Sequence, residues 1–256
     1  MTTTYRLGVI GFAHGHVRGL IDRFDDLPNV EWVACADTVP EVEPLSAKPT
    51  TRGANLKQAQ EKTGIPKTYE DYHEMLDNED FDIIIFCPEN AKHAEVAEAV
   101  AAHGIHMVTE KPMADTLANA LRMARAARAH DVALMVNWPT TWNPAVRTMK
   151  NLIDAGTIGA VWQIKYRNGG SLGAGGYNKG EEALTDREKA SEWWYQTAPG
   201  GGAMLDYCCY GSCLSRWYIG EPAVAAWGMR ANVSKHFSEA DDNGIIAVRF
   251  PQAMAL

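Results

Sequence analysis

The chain has 256 residues, 46% of them hydrophobic and 22% charged, a length that favours two domains and a composition that excludes disordered or fibrous proteins. Its 32 acidic against 24 basic residues give a formal charge of -8, which repels phosphate backbones and anionic lipid, so neither nucleic acid nor a membrane is expected as a partner. No apolar run approaches the roughly 20 residues of a membrane span and no charged-then-apolar leader precedes the first strand, which leads us to expect a cytoplasmic protein.

Leu7 to Ile10 reads as a short apolar strand that ends at Gly11, and Val17, Leu20, Ile21 and Phe24 then recur at helical spacing. Glu31 to Asp37 is a second buried strand closed by an acid. Prolines 40, 44 and 49 mark a loop, and Ala54 to Lys62 a helix stopped by Gly64. A third strand lies near Tyr69, with a helix over Tyr72 to Leu76. Asp82 to Cys87 is a strongly apolar fourth strand, His93 to Ala102 a helix, and His106 to Thr109 a fifth strand. A long helix over Leu117 to Ala129 precedes a sixth strand at Ala133 to Val136. Such alternation predicts an α/β, doubly wound parallel sheet over residues 1–138.

Past Asn137 the alternation stops. A helix near Pro144 to Ala155, a strand at Val161 to Tyr166, a loop with Gly169, Gly170, Gly173, Gly175 and Gly176, a helix over Met204 to Tyr218, and strands at Ala223 to Val233 and Ile245 to Phe250 predict an α+β domain with a mostly antiparallel sheet over 139–256. The last segment, Ala247 to Leu256, alternates like one strand and ends on an apolar run. That ending suggests a domain incomplete at its C-terminus, or a sheet covered by a second copy in a homo-oligomer.

Gly11, Phe12, Ala13, His14 and His16 occupy the first strand-to-helix turn, where backbone N–H groups can cradle a pyrophosphate. The G-x-G-x-x-G spacing is imperfect, because Ala13 and His16 stand at its second and third glycines. Asp37 is placed to accept from the adenosine ribose hydroxyls and to repel a 2′-phosphate, favouring NAD over NADP, although a nearby base such as Arg52 could reverse the preference. Two histidines one apart, without a third ligand in view, leave no metal expected at His14 and His16. Cys35, Cys87, Cys208, Cys209 and Cys213 are an odd number in a chain with no leader and read as reduced thiols.

Three segments, Pro88-Glu89-Asn90-Ala91-Lys92-His93, Glu110-Lys111-Pro112 and Gly200-Gly201-Gly202-Ala203-Met204-Leu205-Asp206, together resemble the Gfo/Idh/MocA family of sugar and cyclitol oxidoreductases. The resemblance implies that Lys111 reaches both the nicotinamide ribose and the reacting hydroxyl, that the Lys111–Pro112 bond is cis, and that Pro88, Asn90, His93 and Glu110 lie beside the nicotinamide. The family's D-x-G-x-H-x-x-D helix corresponds to Asp206 through Cys213, with Tyr210 where the histidine base is usual. Tyrosine stands there in relatives resembling glucose–fructose oxidoreductase and dihydrodiol dehydrogenase. Lys111, Asp206 and Tyr210 are therefore the candidate catalytic residues. An ammonium beside a phenol favours the phenolate, so Lys111 is expected to lower the Tyr210 pKa. Trp142, Asn143, Trp193, Trp194 and Tyr195 are candidates to line a sugar-sized cleft, with core packing as their alternative.

The function implied is hydride transfer between nicotinamide and a secondary alcohol of a sugar, cyclitol or related polyol. Its rivals are an NAD-dependent glycoside hydrolase and a non-catalytic dinucleotide sensor.

Overall fold

Residues 3–170, 173 and 183–256 are described by a computed structural model. Gly175 and Gly176 of the glycine-rich loop lie outside them. The first sheet has six parallel strands: β1 (Tyr5–Ile10), β2 (Val30–Ala36), β3 (Lys67–Tyr69), β4 (Ile83–Phe86), β5 (His106–Glu110) and β6 (Leu134–Asn137). Their order, β3-β2-β1-β4-β5-β6, reverses direction between β1 and β4, the place where such sheets open a ligand crevice at their carboxyl edge.

Side-chain alternation explains why helices cover both faces. Leu7 and Val9 of β1, with Ile85 and Cys87, pack against Val17 and Ile21 of α1 (Val17–Asp25) and Ala59 of α2 (Arg52–Thr63). Ile10, Ile84 and Phe86 point the other way, into Met75 of α3 (Tyr72–Asn78), Val96 and Val100 of α4 (His93–Ala102) and Met123 of α5 (Leu117–Ala129). Both sheet faces are thus dry, which is why the central strands read as apolar runs without polar alternation.

The second domain contributes α6 (Pro144–Asp154), β7 (Gln163–Ile164), α7 (Asp186–Ser191), α8 (Cys209–Ile219), β8 (Ala225–Ala231), β9 (Asn243–Arg249) and β10 (Met254–Ala255). Its sheet runs β7-β10-β9-β8 and is mixed: β10 pairs antiparallel with β9 but parallel with β7. Three expectations change here. Val161 to Tyr166 shortens to the two residues of β7. The run from Ala247 to Leu256 is two strands and not one, because Phe250 to Ala253 turn the chain, with the Phe250 N–H donating to the Ala253 carbonyl at 2.8 Å. Met204 to Tyr218 opens as a π-helical stretch over Met204–Cys208 before becoming α8, a departure from α geometry often found at functional sites. β8 is solvent-exposed along its whole length.

Candidate active site

Gly11 must be glycine for two independent reasons. Its φ is +80°, and a Cβ there would stand 2.6 Å from the Pro88 nitrogen. The turn that follows is held from several sides: the Phe12 N–H donates to Asp37 at 3.0 Å, the His14 N–H to the Cys87 carbonyl at 3.1 Å, and Asn55 Nδ2 to the Phe12 carbonyl at 2.9 Å. The Gly11 and His16 N–H groups are also spent, on Ala36 and on His14 Nδ1. Among the described residues the turn therefore offers an anion the N–H groups of Ala13 and Gly15, together with the first turn of α1. The residues present fit a dinucleotide: glycine lets the turn pack directly against Pro88, and the Ala13 and Gly15 N–H groups are left for a phosphate.

Asp37 follows β2 at the outer end of this crevice. Arg52 grips it with two hydrogen bonds of 2.8 and 3.0 Å and reaches Glu89 at 2.7 Å and the Thr38 carbonyl at 2.8 Å. Burial pulls the Arg52 guanidinium down, but the two carboxylates outweigh it and hold the charge in place. A cavity of about 10 Å³ lies beside this pair, bounded by Pro40, Val42, Trp193 and Pro199.

Lys111 sits just past the end of β5, in the turn with the cis Lys111–Pro112 bond, and is only 1% exposed. Its Nζ is paired with the Asp206 carboxylate, donates to the Asp206 carbonyl at 3.2 Å and lies 4.8 Å from the centre of the Tyr210 ring. Burial works against the ammonium, yet Asp206, with Cys209 and Tyr210, raises its pKa above the ordinary lysine value. The expected lowering of Tyr210 does not occur. Burial pushes the phenol up to about 12, and the opposing pull of Lys111 is the weaker effect because that ammonium is already neutralised by Asp206. At neutral pH the cluster is an ammonium, a carboxylate and an intact phenol. Cys209, whose Sγ donates to the Asp206 carbonyl at 3.3 Å, is likewise pushed up to about 12 by burial and stays a thiol.

Glu110 is fully buried. Its Oε2 accepts from the Lys111 N–H at 3.1 Å and lies 3.0 Å from His16 Nδ1, and Asn137 Nδ2 donates to its other oxygen. Asn90 bridges the domains through Nδ2 to the Gly200 carbonyl at 2.8 Å, leaving a buried Oδ1 without a partner. Pro88 forms the wall that Gly11 abuts. His93 is 0% exposed, its ring meets Phe86 edge-on, and its Nδ1 lies 3.1 Å from the Met113 carbonyl. It therefore braces the turn after Lys111. Trp193 and Trp194 stack at 4.0 Å and close over the glycine turn, Trp193 donating to the Ala13 carbonyl at 2.9 Å and Trp194 meeting the His14 ring at 4.7 Å. Trp142 is half-exposed and stands over Arg147 instead.

The structure thus gathers Lys111, Asp206 and Tyr210 into one cluster and Gly11 to His16 with Glu110 into a second beside it. Sequence reasoning missed Glu89, Asn55 and Asn137 as supports. An acid after a strand-ending proline and an asparagine ending β6 were available signals, whereas nothing in the sequence marks Asn55 as buried. A separate cleft of about 810 Å³, lined by Tyr166, Asn168, Tyr207, Ser212 and Asn243, lies across the start of α8 and includes none of the three cluster residues.

Residues 6–138 match the family described as an oxidoreductase family with an NAD-binding Rossmann fold, GFO_IDH_MocA, and residues 146–256 match a GFO/IDH/MocA C-terminal domain. Among curated proteins the chain is 30% identical over 186 residues to D-xylose 1-dehydrogenase [NADP(+)] of Haloarcula marismortui, covering 72% of this chain and 49% of that protein. It is 25% identical to myo-inositol 2-dehydrogenase of Thermotoga maritima, covering 69% and 48%. The chain spans about half the length of these relatives. Among solved structures, aldose-aldose oxidoreductase from Caulobacter crescentus complexed with glycerol superposes with a TM-score of 0.76 at 23% identity, covering 98% of this chain and 69% of that one, and shares the fold.

Proposed function

Because the chain belongs to the Gfo/Idh/MocA oxidoreductase family, we propose that it transfers a hydride between a nicotinamide dinucleotide and a secondary alcohol of a sugar, cyclitol or related polyol. The observation that carries this reading is the buried Lys111–Asp206–Tyr210 cluster at the carboxyl edge of β5, beside the glycine turn. Residues 1–138 form the dinucleotide half and 139–256 the substrate half. The nicotinamide, when bound, supplies the hydride acceptor or donor.

The protein's part is to bind, orient and move a proton. Gly11 to His16, Asp37, Pro88, Asn90 and Glu110 form the dinucleotide crevice. Lys111, kept charged by Asp206, stabilises the oxygen of the reacting carbinol as it gains negative character. Tyr210 serves that oxygen as proton donor in the reducing direction, which its intact phenol suits, and takes the proton back in oxidation. Asp206 fixes the lysine and orients the substrate. Asp37 and Glu89 together outweigh Arg52 by one charge, and Arg52 would have to release Asp37 to meet a 2′-phosphate, which favours NAD over NADP. The exposed β8 face supports a homo-oligomer through the second-domain sheet, which light scattering in solution would test.

Incubating the protein with NAD or NADP and a panel of sugars and cyclitols, following NADH absorbance and any released sugar, tests the proposal. Accumulating NADH supports it. Sugar release with no net NADH would instead indicate hydrolysis.

A further inference from the structure

The helix that carries Asp206 and Tyr210 lacks a cap of its own. It opens with the π-helical stretch Met204–Cys208, and the residue at its N-cap, Ala203, has no side-chain oxygen to accept the free N–H groups of the first turn. Those groups are met from elsewhere in the chain. The Met204 N–H donates to Asp241 Oδ2 at 2.8 Å and the Ala203 N–H to the Asp241 carbonyl at 2.8 Å. Asp241 belongs to the hairpin between β8 and β9, 37 positions beyond Met204. The Asp206 N–H turns back to the Gly202 carbonyl at 3.1 Å.

We infer that Asp241 is a positioning residue for the Lys111–Asp206–Tyr210 cluster: by capping the π-helical stretch it fixes the rotation and height at which Asp206 and Tyr210 meet Lys111. Three observations carry this. Asp241 is 8% exposed and its other carboxylate oxygen is held by Arg230 at 3.3 Å, so the acceptor has one orientation. Gly202 has a φ of +108°, and a Cβ there would stand 2.7 Å from Asp241 Oδ1, so the backbone is shaped to admit this carboxylate. The hairpin end is itself anchored: the Glu239 and Ala240 N–H groups donate to the Tyr195 carbonyl at 2.9 and 3.0 Å, and Asp242 accepts from the N–H groups of Val233, Ser234 and Lys235 at 2.9, 2.8 and 2.9 Å.

The cap acts two residues from the carboxylate that holds Lys111. Asp206 meets that lysine through its carboxylate and its carbonyl, and the Tyr210 ring lies 4.8 Å from the same ammonium, so a slip of the first turn disturbs all three contacts together. A misplacement on the order of 1 Å can cost roughly 100-fold in rate.

The effect on turnover rests on the hydride-transfer reading, whereas the effect on the Lys111–Asp206 pair does not. The test is therefore double. A buried, paired ammonium exchanges its protons slowly, so nitrogen-labelled lysine should give a Lys111 ammonium signal by NMR at pH 7, assigned through its loss in Lys111→Arg. Asp241→Ala removes the acceptor and Asp241→Glu displaces it by one methylene; both are expected to lose that signal. Asp241→Asn keeps an acceptor for Met204, and Asp242→Ala loosens only the hairpin's own turn, so both are expected to retain it. With a sugar or cyclitol that the panel above shows to be oxidised, kcat should fall roughly 10-fold or more in Asp241→Ala and Asp241→Glu while the KM for NAD changes less than about twofold. If Asp241→Ala does not fold, Asp241→Glu against Asp241→Asn decides. Absence of the signal in the wild type, an unchanged signal or kcat in the Ala or Glu variant, or an equal loss in Asp241→Asn or Asp242→Ala would each overturn the role. Should nothing in the panel be oxidised, the hydride-transfer reading fails and the NMR comparison still decides what Asp241 does.

Discussion

Replacing Asp206 by asparagine keeps the shape of the side chain and removes the charge that Lys111 needs. The ammonium is 1% exposed and would be left in a dry site with only neutral contacts, the new amide oxygen, the backbone carbonyl of residue 206 and the Tyr210 ring. Removing one partner of a buried pair costs about 3 kcal/mol or more, because the other charge stays desolvated. For a chain of this size that is a fall in melting temperature of roughly 6–12 °C. The pH dependence must also change sign. In the wild type the Lys111 pKa is raised above 10.5, so the pair contributes fully below that value and is lost only as pH rises through the higher folded value. In Asp206→Asn the main opposing charge is gone, and burial pulls Lys111 below 10.5. The unfolded chain then binds more protons, and stability rises with pH by up to about 1.4 kcal/mol per unit. Thermal and urea melts at pH 7 and pH 9 measure both effects, and Lys111→Met with Asp206→Leu should recover most of the loss by replacing the pair with apolar side chains. If Asp206→Asn melts within a degree or two of the wild type at pH 7, Lys111 is not a buried, paired ammonium and the argument fails.

Tyr210→Phe retains the ring under Lys111 but deletes the proton donor, so turnover should fall roughly 100-fold or more with the melting temperature little changed; a variant that loses stability and keeps its rate would assign Tyr210 to packing. Because Tyr210 titrates at about 12, carbonyl reduction should show no loss of rate attributable to it between pH 7 and about pH 10. Gly11→Ala places a Cβ 2.6 Å from the Pro88 nitrogen at a φ of +80°, and calorimetry should find dinucleotide binding abolished; unchanged affinity would refute the crevice. Arg52→Ala leaves Glu89, 1% exposed, without its cation and should destabilise the protein by about 3 kcal/mol, whereas a purely ribose-facing arginine would change only the NAD to NADP affinity ratio.

Much of the first domain is legible because its signals are local. Apolar runs such as Ile83 to Cys87, glycines after strands and helical spacing from Val17 to Phe24 depend on neighbours a few residues away, and the observed elements differ from the expected ones mainly at their ends. The second domain is read less well for the same reason. The turn at Phe250 to Ala253 lies inside a run that alternates like a strand, and the two-residue β7 is defined by its partner β10 rather than by its own pattern. A parallel neighbour far away in the chain leaves no local mark on the sequence.

From the sequence alone follow the strand–turn–helix at Gly11 and the acid closing β2, and its resemblance to a known family singles out Lys111, Asp206 and Tyr210 as candidates. Tertiary structure decides what those groups are. The Tyr210 phenol goes up because burial and a neutralised lysine outweigh a favourable neighbour, and Arg52 is consumed by Asp37 and Glu89 from separate strand ends. His93 Nδ1 meets the Met113 carbonyl 20 positions on, and Glu110 meets His16 across 94 positions of chain. Desolvation and long-range pairing depend on what surrounds a residue in space, and spacing along the chain does not encode that.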